Sequence, residues 1–266
     1  MIAAFDVGAD DGFHGILFAF MNPDVNVYGF EPIRGSKKII NNNLKKVERF
    51  FGKKLKNYEI INCAISDFNG YATFYETNYK VASSILKPRK KLNKFWKNSE
   101  DLLINTVSKG VKLKKKYKVK VLTLEKFCKE KLISVISYLH VDAQGNDLRV
   151  IKGLKKYKKF LIQGVAETSK NNKLAMYEKE ESFVILKKKF KDWNFKITKI
   201  ELIQKNFPSY NVYFKNNSKN KHLRNDVIFN HGSKRLERVF KRIFLNKYNN
   251  KDLVFLLLWK IKFFFN

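Results

Sequence analysis

The chain has 266 residues, of which 44% are hydrophobic and 15% aromatic, so it is long enough to bury a sizeable core. This composition excludes a disordered chain. The formal net charge of +31, from 55 Lys+Arg against 24 Asp+Glu, favours contact with phosphates, acidic glycans or an anionic membrane surface. Because Lys greatly outnumbers Arg, codon drift in an AT-rich genome is the alternative explanation of the charge.

Cysteine content and hydropathy bear on the cellular compartment. Cys63 and Cys128 are too few for a disulfide framework and lack the spacing of metal ligands. Asp6 interrupts the N-terminal apolar run, which argues against a signal peptide. The apolar run at 253–259 is far shorter than the roughly 20 residues that a spanning helix needs. We therefore expect a cytoplasmic protein, and no pair of His and carboxylate residues predicts a metal site.

The first 65 residues alternate between strand and helix patterns. Apolar runs predict buried strands at 2–7, 25–30 and 58–65. A short helix is predicted at 13–21, between the first two strands. Between the second and third, a spacing of i, i+4, i+7 and i+11 predicts an amphipathic helix through Ile40, Leu44, Val47 and Phe51. This alternation is typical of a parallel, doubly wound α/β sheet.

The pattern continues beyond a variable middle segment. The stretch at 66–76 predicts a turn into another strand, and 86–118 is interpreted as a lysine-rich surface insertion. Regular structure resumes at 119–127, and a later helix is predicted at 181–191. Further strands are predicted at 135–142, 160–167, 194–203, 210–215 and 226–230. We expect an open, mostly parallel, seven-stranded sheet with helices on both faces.

The C-terminal tail differs in character from the domain predicted over residues 1–232. In residues 233–266, one helix face is apolar, formed by Leu236, Val239, Phe240 and Ile243. The opposite face is basic, and residues 252–264 repeat the arrangement. This composition suits a helix lying on the inner membrane surface. The alternative is a helix packed on the domain or on a second subunit.

The stretch FDVGADDG follows the first predicted strand, where an open parallel sheet binds its ligand. Gly8 and Gly12 allow close approach of the backbone, and the following helix offers free N–H groups. A dinucleotide-binding loop would have Gly at the position of Asp6. Together with Asp10 and Asp11, this acid would repel a pyrophosphate. The loop suits a cationic ligand without phosphate, such as S-adenosylmethionine.

An acidic residue ends the second predicted strand. Glu31 lies about 20 residues beyond Gly8, the position from which a carboxylate accepts hydrogen bonds from ribose hydroxyls. The alternative is that these are ordinary turn residues.

Six segments occur together in a characteristic order: FDVGADDG, VYGFEP, NCAISD, ASSIL, VKVLTLEKF and LHVDAQGNDLRVIKG. In order and spacing they resemble the FkbM-type S-adenosylmethionine-dependent methyltransferases, over roughly residues 2–230. The resemblance implies a Rossmann-like class I methyltransferase fold and S-adenosylmethionine as cofactor. It also implies O-methylation of a hydroxyl on a sugar or glycan, a glycolipid or a secondary metabolite.

The resemblance also implies a set of cofactor-binding residues: Asp6, Gly8, Ala9, Asp10, Gly12, Glu31, Ser66, Asp67 and Asp142. The glycine loop would line the methionine part and Glu31 would bind the ribose. Ser66 and Asp67 would lie near the adenine, and Asp142 would face the sulfonium and the incoming hydroxyl.

Two positions depart from the family pattern. His140 replaces a common Lys, and Gln144 stands where the family often has Glu. The second change puts a metal or general-base role at position 144 in doubt. The chain also begins directly on the first strand, without the helical cover usual in the family, which indicates a short enzyme or a fragment.

O-methylation needs a general base to accept the hydroxyl proton. The candidates at strand ends are Asp142 and Glu167, with His140 and His14 behind them. For each, a purely structural role is the alternative: Asp142 as an anchor of the cofactor or its turn, Glu167 as a loop cap, and the histidines as packing residues.

Partner predictions remain divided. The expected partner is a small-molecule or glycan acceptor, including an anionic one. The insertion, with Phe95, Trp96 and Tyr117, is interpreted as a substrate lid whose basic and aromatic groups suit an anionic glycan or a nucleic acid. The alternative is a solvated loop. An RNA methyltransferase is the rival enzyme class, although no RNA-binding module is recognised and nucleic acid is not the expected partner. A non-catalytic membrane-surface protein on the same scaffold is the third reading, and a homodimer is an open alternative.

Overall fold

The computed structural model describes residues 1–90, 92, 96, 102–203, 207–217, 229–231 and 234–246. Its strands are β1 (Ile2–Val7), β2 (Asn26–Phe30), β3 (Tyr58–Ile61), β4 (Ala64–Ile65), β5 (Gly70–Thr77), β6 (Leu113–Leu122), β7 (Val135–Val141), β8 (Gln163–Ser169), β9 (Phe195–Leu202) and β10 (Ser209–Asn216). Its α-helices are α1 (Phe13–Met21), α2 (Ser36–Phe51), α3 (Leu102–Gly110), α4 (Leu124–Glu130), α5 (Asp147–Lys152), α6 (Phe183–Asp192) and α7 (Lys234–Phe244).

The main sheet has seven strands in the order β3-β2-β1-β7-β8-β10-β9. All neighbours are parallel except β10, which runs antiparallel to both β8 and β9. The chain builds outward from β1 in one direction and from β7 in the other, so the strand order reverses between these two strands. The prediction of an open, mostly parallel, seven-stranded sheet is confirmed.

A smaller sheet has the order β4-β6-β5 and lies next to the carboxyl end of β3. The strand predicted over 58–65 is therefore divided between the two sheets. Asn62 lies at the break, where its side-chain amide donates to the Glu31 carbonyl at 2.7 Å. The division brings the start of β4 beside the end of β2.

The lysine-rich segment is more ordered than the sequence indicated. Strand β6 begins at Leu113 rather than near 119, because β5 supplies an antiparallel partner over its whole length. Val119 and Val121 point into the core while Lys118 and Lys120 alternate outward. Trp96 is 1% exposed, and its indole N–H donates to the Leu174 carbonyl at 3.0 Å. Phe95 lies outside the described residues.

Helices cover both faces of the main sheet. Odd-numbered residues of β1, with α4, α5 and α6, form one core, whereas α1, α2 and α7 cover the other face. Phe240 of α7 contacts Phe20 and Phe51, with ring centroids 5.4 Å apart in each case. The first turns of the predicted tail are thus packed on the domain, while residues 247–266 lie outside the described part of the chain.

One further prediction concerns the C-terminal third. The strand predicted at 226–230 falls mostly outside the described residues, and Phe229 stacks on Tyr138 with ring centroids 4.6 Å apart.

Within the described residues, every helix is too short or too polar to cross a membrane.

Candidate cofactor and active site

A cleft of about 220 Å³ opens beyond the carboxyl ends of β1, β2 and β7. This is the edge at which the strand order reverses, where open α/β sheets bind their ligands. Its lining includes Gly8, Asp10, Glu31 and Asp142, four of the residues singled out in the sequence.

Gly8 allows the ends of β1 and β7 to meet. Its φ is +84°, and a Cβ built on it would lie 1.9 Å from the Asp142 carbonyl oxygen. Asp142 N–H in turn donates to the Val7 carbonyl at 2.9 Å. Any side chain at position 8 would separate the two strand ends that form the cleft floor.

Gly12 has a different role from the one expected. Its φ is +87°, but an added Cβ would lie 2.8 Å from the side chain of Ile40 in α2. Gly12 therefore permits the packing of α1 on α2. Ala9, also in the predicted cofactor-binding set, is buried in the same core, and its N–H donates to the Phe30 carbonyl at 3.1 Å.

Glu31 is held at the end of β2 by two backbone N–H groups. Its Oε2 accepts from Asp10 N–H at 2.9 Å, and its Oε1 accepts from Ile33 N–H at 2.8 Å. The residue is 4% exposed. Burial raises the pKa of Glu31 to about 7, although both hydrogen bonds oppose the shift. Each carboxylate oxygen retains capacity to accept a further hydrogen bond.

Asp142 is positioned by Gln144, the residue that departs from the family pattern. Gln144 has a φ of +51°, and its amide donates to Asp142 Oδ1 at 2.5 Å. The Tyr177 hydroxyl lies 3.0 Å from the other end of this amide, at Oε1. Burial raises the pKa of Asp142, while the charge of His140 and the Gln144 hydrogen bond lower it. The result is a carboxylate of more than usual basicity at the cleft.

Glu167 lies behind Gln144 rather than in the cleft. It borders a second, much smaller pocket of about 10 Å³, together with Asp147 and Glu180. Burial and the neighbouring acids raise the pKa of Glu167 well above its usual range. Its backbone N–H donates to Asp147 Oδ1 at 3.3 Å, and this hydrogen bond joins β8 to the start of α5.

Asp6 and His140 face away from the cleft, towards α1. They are register partners on β1 and β7, and Asp6 Oδ1 lies 2.8 Å from His140 Nδ1. Asp6 Oδ2 accepts from Gly15 N–H at 2.8 Å. His14 packs on His140 with ring centroids 4.4 Å apart. Since side chains alternate along a strand, Val7 lines the cleft while Asp6, one residue earlier, points to the opposite face of the sheet.

Ser66 and Asp67 support the cleft from outside. The Ser66 hydroxyl lies 3.2 Å from Asn146 Oδ1, and Asn146 itself lines the cleft. Asp67 forms an ion pair with Lys152 at 2.8 Å. Near them the wall of the cleft is apolar and is formed by Ile65 with its neighbours.

Several lining residues were not assigned a role from the sequence. Phe74, Lys80 and Ser84 come from β5 and the loop after it. The Ser84 hydroxyl donates to the Gln144 carbonyl at 2.8 Å. Ser84 lies in the ASSIL segment, which was noted only as part of the family resemblance. Lys80 is one of many lysines in the chain. Neither residue therefore stood out in the sequence as part of a binding site.

A family profile matches most of the chain. The profile described as Methyltransferase FkbM domain matches residues 6–197, more than half of the chain. No curated protein matches the sequence.

Solved structures supply more distant likenesses. Methyltransferase FkbM from Methylobacillus flagellatus KT is 11% identical with a TM-score of 0.48, over 80% of this chain and 43% of that chain. M. capricolum TrmK, in complex with S-adenosyl-homocysteine, is 12% identical with a TM-score of 0.39, over 89% and 68%. The N-terminal domain of human METTL16, also with S-adenosyl-homocysteine, is 10% identical with a TM-score of 0.38, over 82% and 62%. The chain thus spans less than half the length of the first of these proteins.

Proposed function

Since the chain belongs to the FkbM methyltransferase family and takes S-adenosylmethionine as its cofactor, we propose that it methylates a hydroxyl group of a sugar or glycan, a glycolipid or a secondary metabolite. The observation that carries the proposal is the placement of Asp142. Its basic carboxylate lines the cofactor cleft at the end of β7, next to Gly8.

The residues of the cleft fit this cofactor. Asp10, Glu31 and Asp142 suit a ligand that bears sulfonium and ammonium charges and no phosphate. Glu31 would accept hydrogen bonds from the ribose hydroxyls. The apolar side chains of Ile65 and Phe74 would contact the adenine. The bound cofactor supplies an electrophilic methyl group, and the cleft holds it against the strand ends.

The chain's own task is to orient the acceptor and remove its proton. Methyl transfer is an in-line displacement, so the hydroxyl oxygen must be aligned with the methyl group. In the transfer an oxygen–carbon bond would form and a sulfur–carbon bond would break, and the Asp142 carboxylate would accept the hydroxyl proton. Gln144 keeps the carboxylate in place through its hydrogen bond to Oδ1.

Calorimetric titration of S-adenosylmethionine and its demethylated product tests the cofactor site first. We expect binding by the wild type and a clear loss of affinity in Glu31→Ala. Folded wild-type protein that binds neither compound would contradict the proposal.

Acceptor turnover tests the role of Asp142. A panel of sugars, lipid-linked sugars and small hydroxylated metabolites would be screened for methyl incorporation. With an active acceptor, and at cofactor concentrations that saturate each protein, Asp142→Asn should lower kcat by about 10² to 10⁴, the range typical of a general base. Glu178→Gln, at a half-buried residue outside the cleft that is paired with Lys87, is the matched control. Methylation of RNA but of no acceptor in the panel would favour the rival enzyme class.

We also propose peripheral contact of residues 233–266 with an anionic membrane. Because α7 buries its apolar face on α1 and α2, the described part of this segment offers a basic face, including Arg238 and Lys241. Co-sedimentation with anionic vesicles should therefore require residues 233–266 and weaken with salt. Equal sedimentation of a variant with Arg238 and Lys241 changed to Gln, which leaves the buried apolar face of α7 in place, would exclude contact through this basic face.

A further inference from the structure

A cluster of three side chains lies beside the cofactor cleft but outside it. Asp6 comes from β1, His140 from the adjacent position on β7, and His14 from the first turn of α1. Each offers one ligand atom, and these atoms all lie within 4.8 Å of one another. Asp6 and His14 are eight residues apart, whereas His140 lies more than 120 residues further along the chain, so the cluster exists only because β1 and β7 are neighbours with α1 packed over them.

Asp6 is an oriented anion at the base of the cluster. It is 1% exposed, and its Oδ2 accepts from Gly15 N–H at 2.8 Å. Its Oδ1 faces Nδ1 of His140 at 2.8 Å. A carboxylate buried in this way must be compensated by a cation, either a proton on His140 or a metal ion.

The two imidazoles lie close together, with ring centroids 4.4 Å apart and ring planes tilted by 47°. Two imidazolium charges at this separation would repel, so at least one ring is favoured in the neutral form that binds metals. Within the described residues, the His14 ring makes no hydrogen bond, and this residue is exposed. His14 therefore offers a free nitrogen and an access route from solvent.

We propose that Asp6, His14 and His140 bind a divalent transition metal of the zinc type, Zn²⁺, Co²⁺ or Ni²⁺. Two imidazole nitrogens and one carboxylate oxygen form a donor set suited to these ions. The metal would replace the proton between His140 and Asp6, with release of that proton to solvent. Water would complete the coordination on the exposed side, next to His14.

The Asp6 and His140 ligand atoms need to move little, whereas the His14 atom, up to 4.8 Å from them, would have to approach by up to about 1.5 Å. Two ligand atoms of a tetrahedral zinc ion, each about 2.0–2.1 Å from the metal, are about 3.3 Å apart. The Asp6 and His140 atoms are already 2.8 Å apart, so an outward shift of about half an ångström would admit the ion.

The test uses the full chain after treatment with a chelator. Cobalt(II) titration, followed by its visible absorption, and zinc calorimetry should give one high-affinity site per chain. His14→Asn should weaken metal binding by at least about 10- to 100-fold, the loss already typical when only a partner of a metal ligand is removed. His14 is exposed, so this variant should keep its fold, which circular dichroism and the unfolding midpoint would check.

His231→Asn is the matched control. His231 is also exposed and also packs on an aromatic ring of β7, with its centroid 4.5 Å from that of Tyr138, but it is not one of the three ligands. His222, outside the described residues, would be changed to Asn in the same background to remove adventitious binding. Equal affinity in His14→Asn and His231→Asn, or no cobalt absorption in the wild type, would overturn the proposal and leave the proton as the occupant. Cofactor binding is measured separately without metal, so failure here leaves the proposed methyltransferase function untouched.

Discussion

Glu31 is the residue in the cleft whose protonation state changes near neutral pH. Burial raises the pKa of Glu31 to about 7, so the ionised fraction of this side chain increases as the pH rises through neutrality. The ionised form is the better acceptor of hydrogen bonds from ribose hydroxyls. Asp10 and Asp142, whose pKa values burial also raises, titrate in the same direction.

We therefore expect the affinity for S-adenosylmethionine to rise by about tenfold between pH 6 and pH 8, the change that linkage to one ionising group produces. Calorimetry over this range measures the effect. Glu31→Gln should bind weakly, with a reduced dependence on pH. A wild-type affinity that is constant from pH 6 to pH 8 would contradict this role.

Gly8 and Gly35 provide a matched pair for testing the cleft floor. Both have a φ near +83°, but an added Cβ at Gly8 would meet the Asp142 carbonyl at 1.9 Å, whereas at Gly35 nothing lies within 4 Å. Gly35→Ala should lose about 1–2 kcal/mol of unfolding free energy from backbone strain alone. Gly8→Ala should lose more and should also lose cofactor binding. Urea unfolding and calorimetry measure both, and identical losses in the two variants would show that the close approach to β7 is unimportant.

The sequence alone identified some of the residues that line the cleft, but it also assigned to the cleft residues that lie elsewhere. Glu31, Gly8, Asp10 and Asp142 lie at the cleft because they sit at strand ends, which the hydrophobic pattern predicts. Asp6 occurs in the same loop motif, yet its carboxylate lies under α1. Which face a strand side chain takes depends on strand pairing and register, and these are not encoded in the local spacing.

At the scale of single elements, α7 is the case in which packing decides between alternatives. The spacing of its apolar residues equally suited a membrane-surface helix or a helix packed on the domain. In the structure Phe240 is buried between Phe20 of α1 and Phe51 of α2. Docking follows because α1 and α2 leave an apolar groove that this stripe fills.

Phe240→Ala should therefore lower the unfolding free energy of the domain by about 3 kcal/mol, the lower end for removing a buried Phe side chain. Leu245→Ala, at a residue 65% exposed just beyond α7, should change it by less than about 0.5 kcal/mol. Chemical unfolding followed by circular dichroism compares them. If Phe240→Ala leaves the main transition unchanged, the helix is not part of the domain's cooperative unit.

Strand β6 shows the limit of the sequence pattern at this scale. A window with so many lysines contains too little apolar surface to signal a strand. Pairing with β5 gives these lysines an outward face and buries the valines between them. The contact is formed across about 40 residues of sequence and cannot be inferred from either segment alone.

At the scale of the whole molecule, the net charge of +31 dominates long-range interactions. Non-specific binding of single-stranded RNA should fall steeply, by about 10³ or more between 50 and 200 mM salt, if six or more phosphates are contacted. Cofactor affinity should barely change, because its contacts lie inside a cleft. Filter binding and calorimetry over the same salt series test this. RNA binding that resists salt would indicate a specific site and favour an RNA acceptor.

The sequence by itself determined the alternation of strands and helices, the seven-stranded sheet and the edge of the sheet at which the cleft opens. These features follow from hydrophobic periodicity and from glycine and acid positions, which act over a few residues. Only the tertiary structure decided that Asp6 meets His140 and His14, that Gln144 holds Asp142, and that α7 closes the second core. The contacts of Asp6 with His140 and of α7 with α1 and α2 join distant segments of the chain, and they depend on register and packing that no local pattern carries. Gln144 lies only two residues from Asp142, but the Tyr177 hydroxyl that holds the Gln144 amide comes from 33 residues further along the chain.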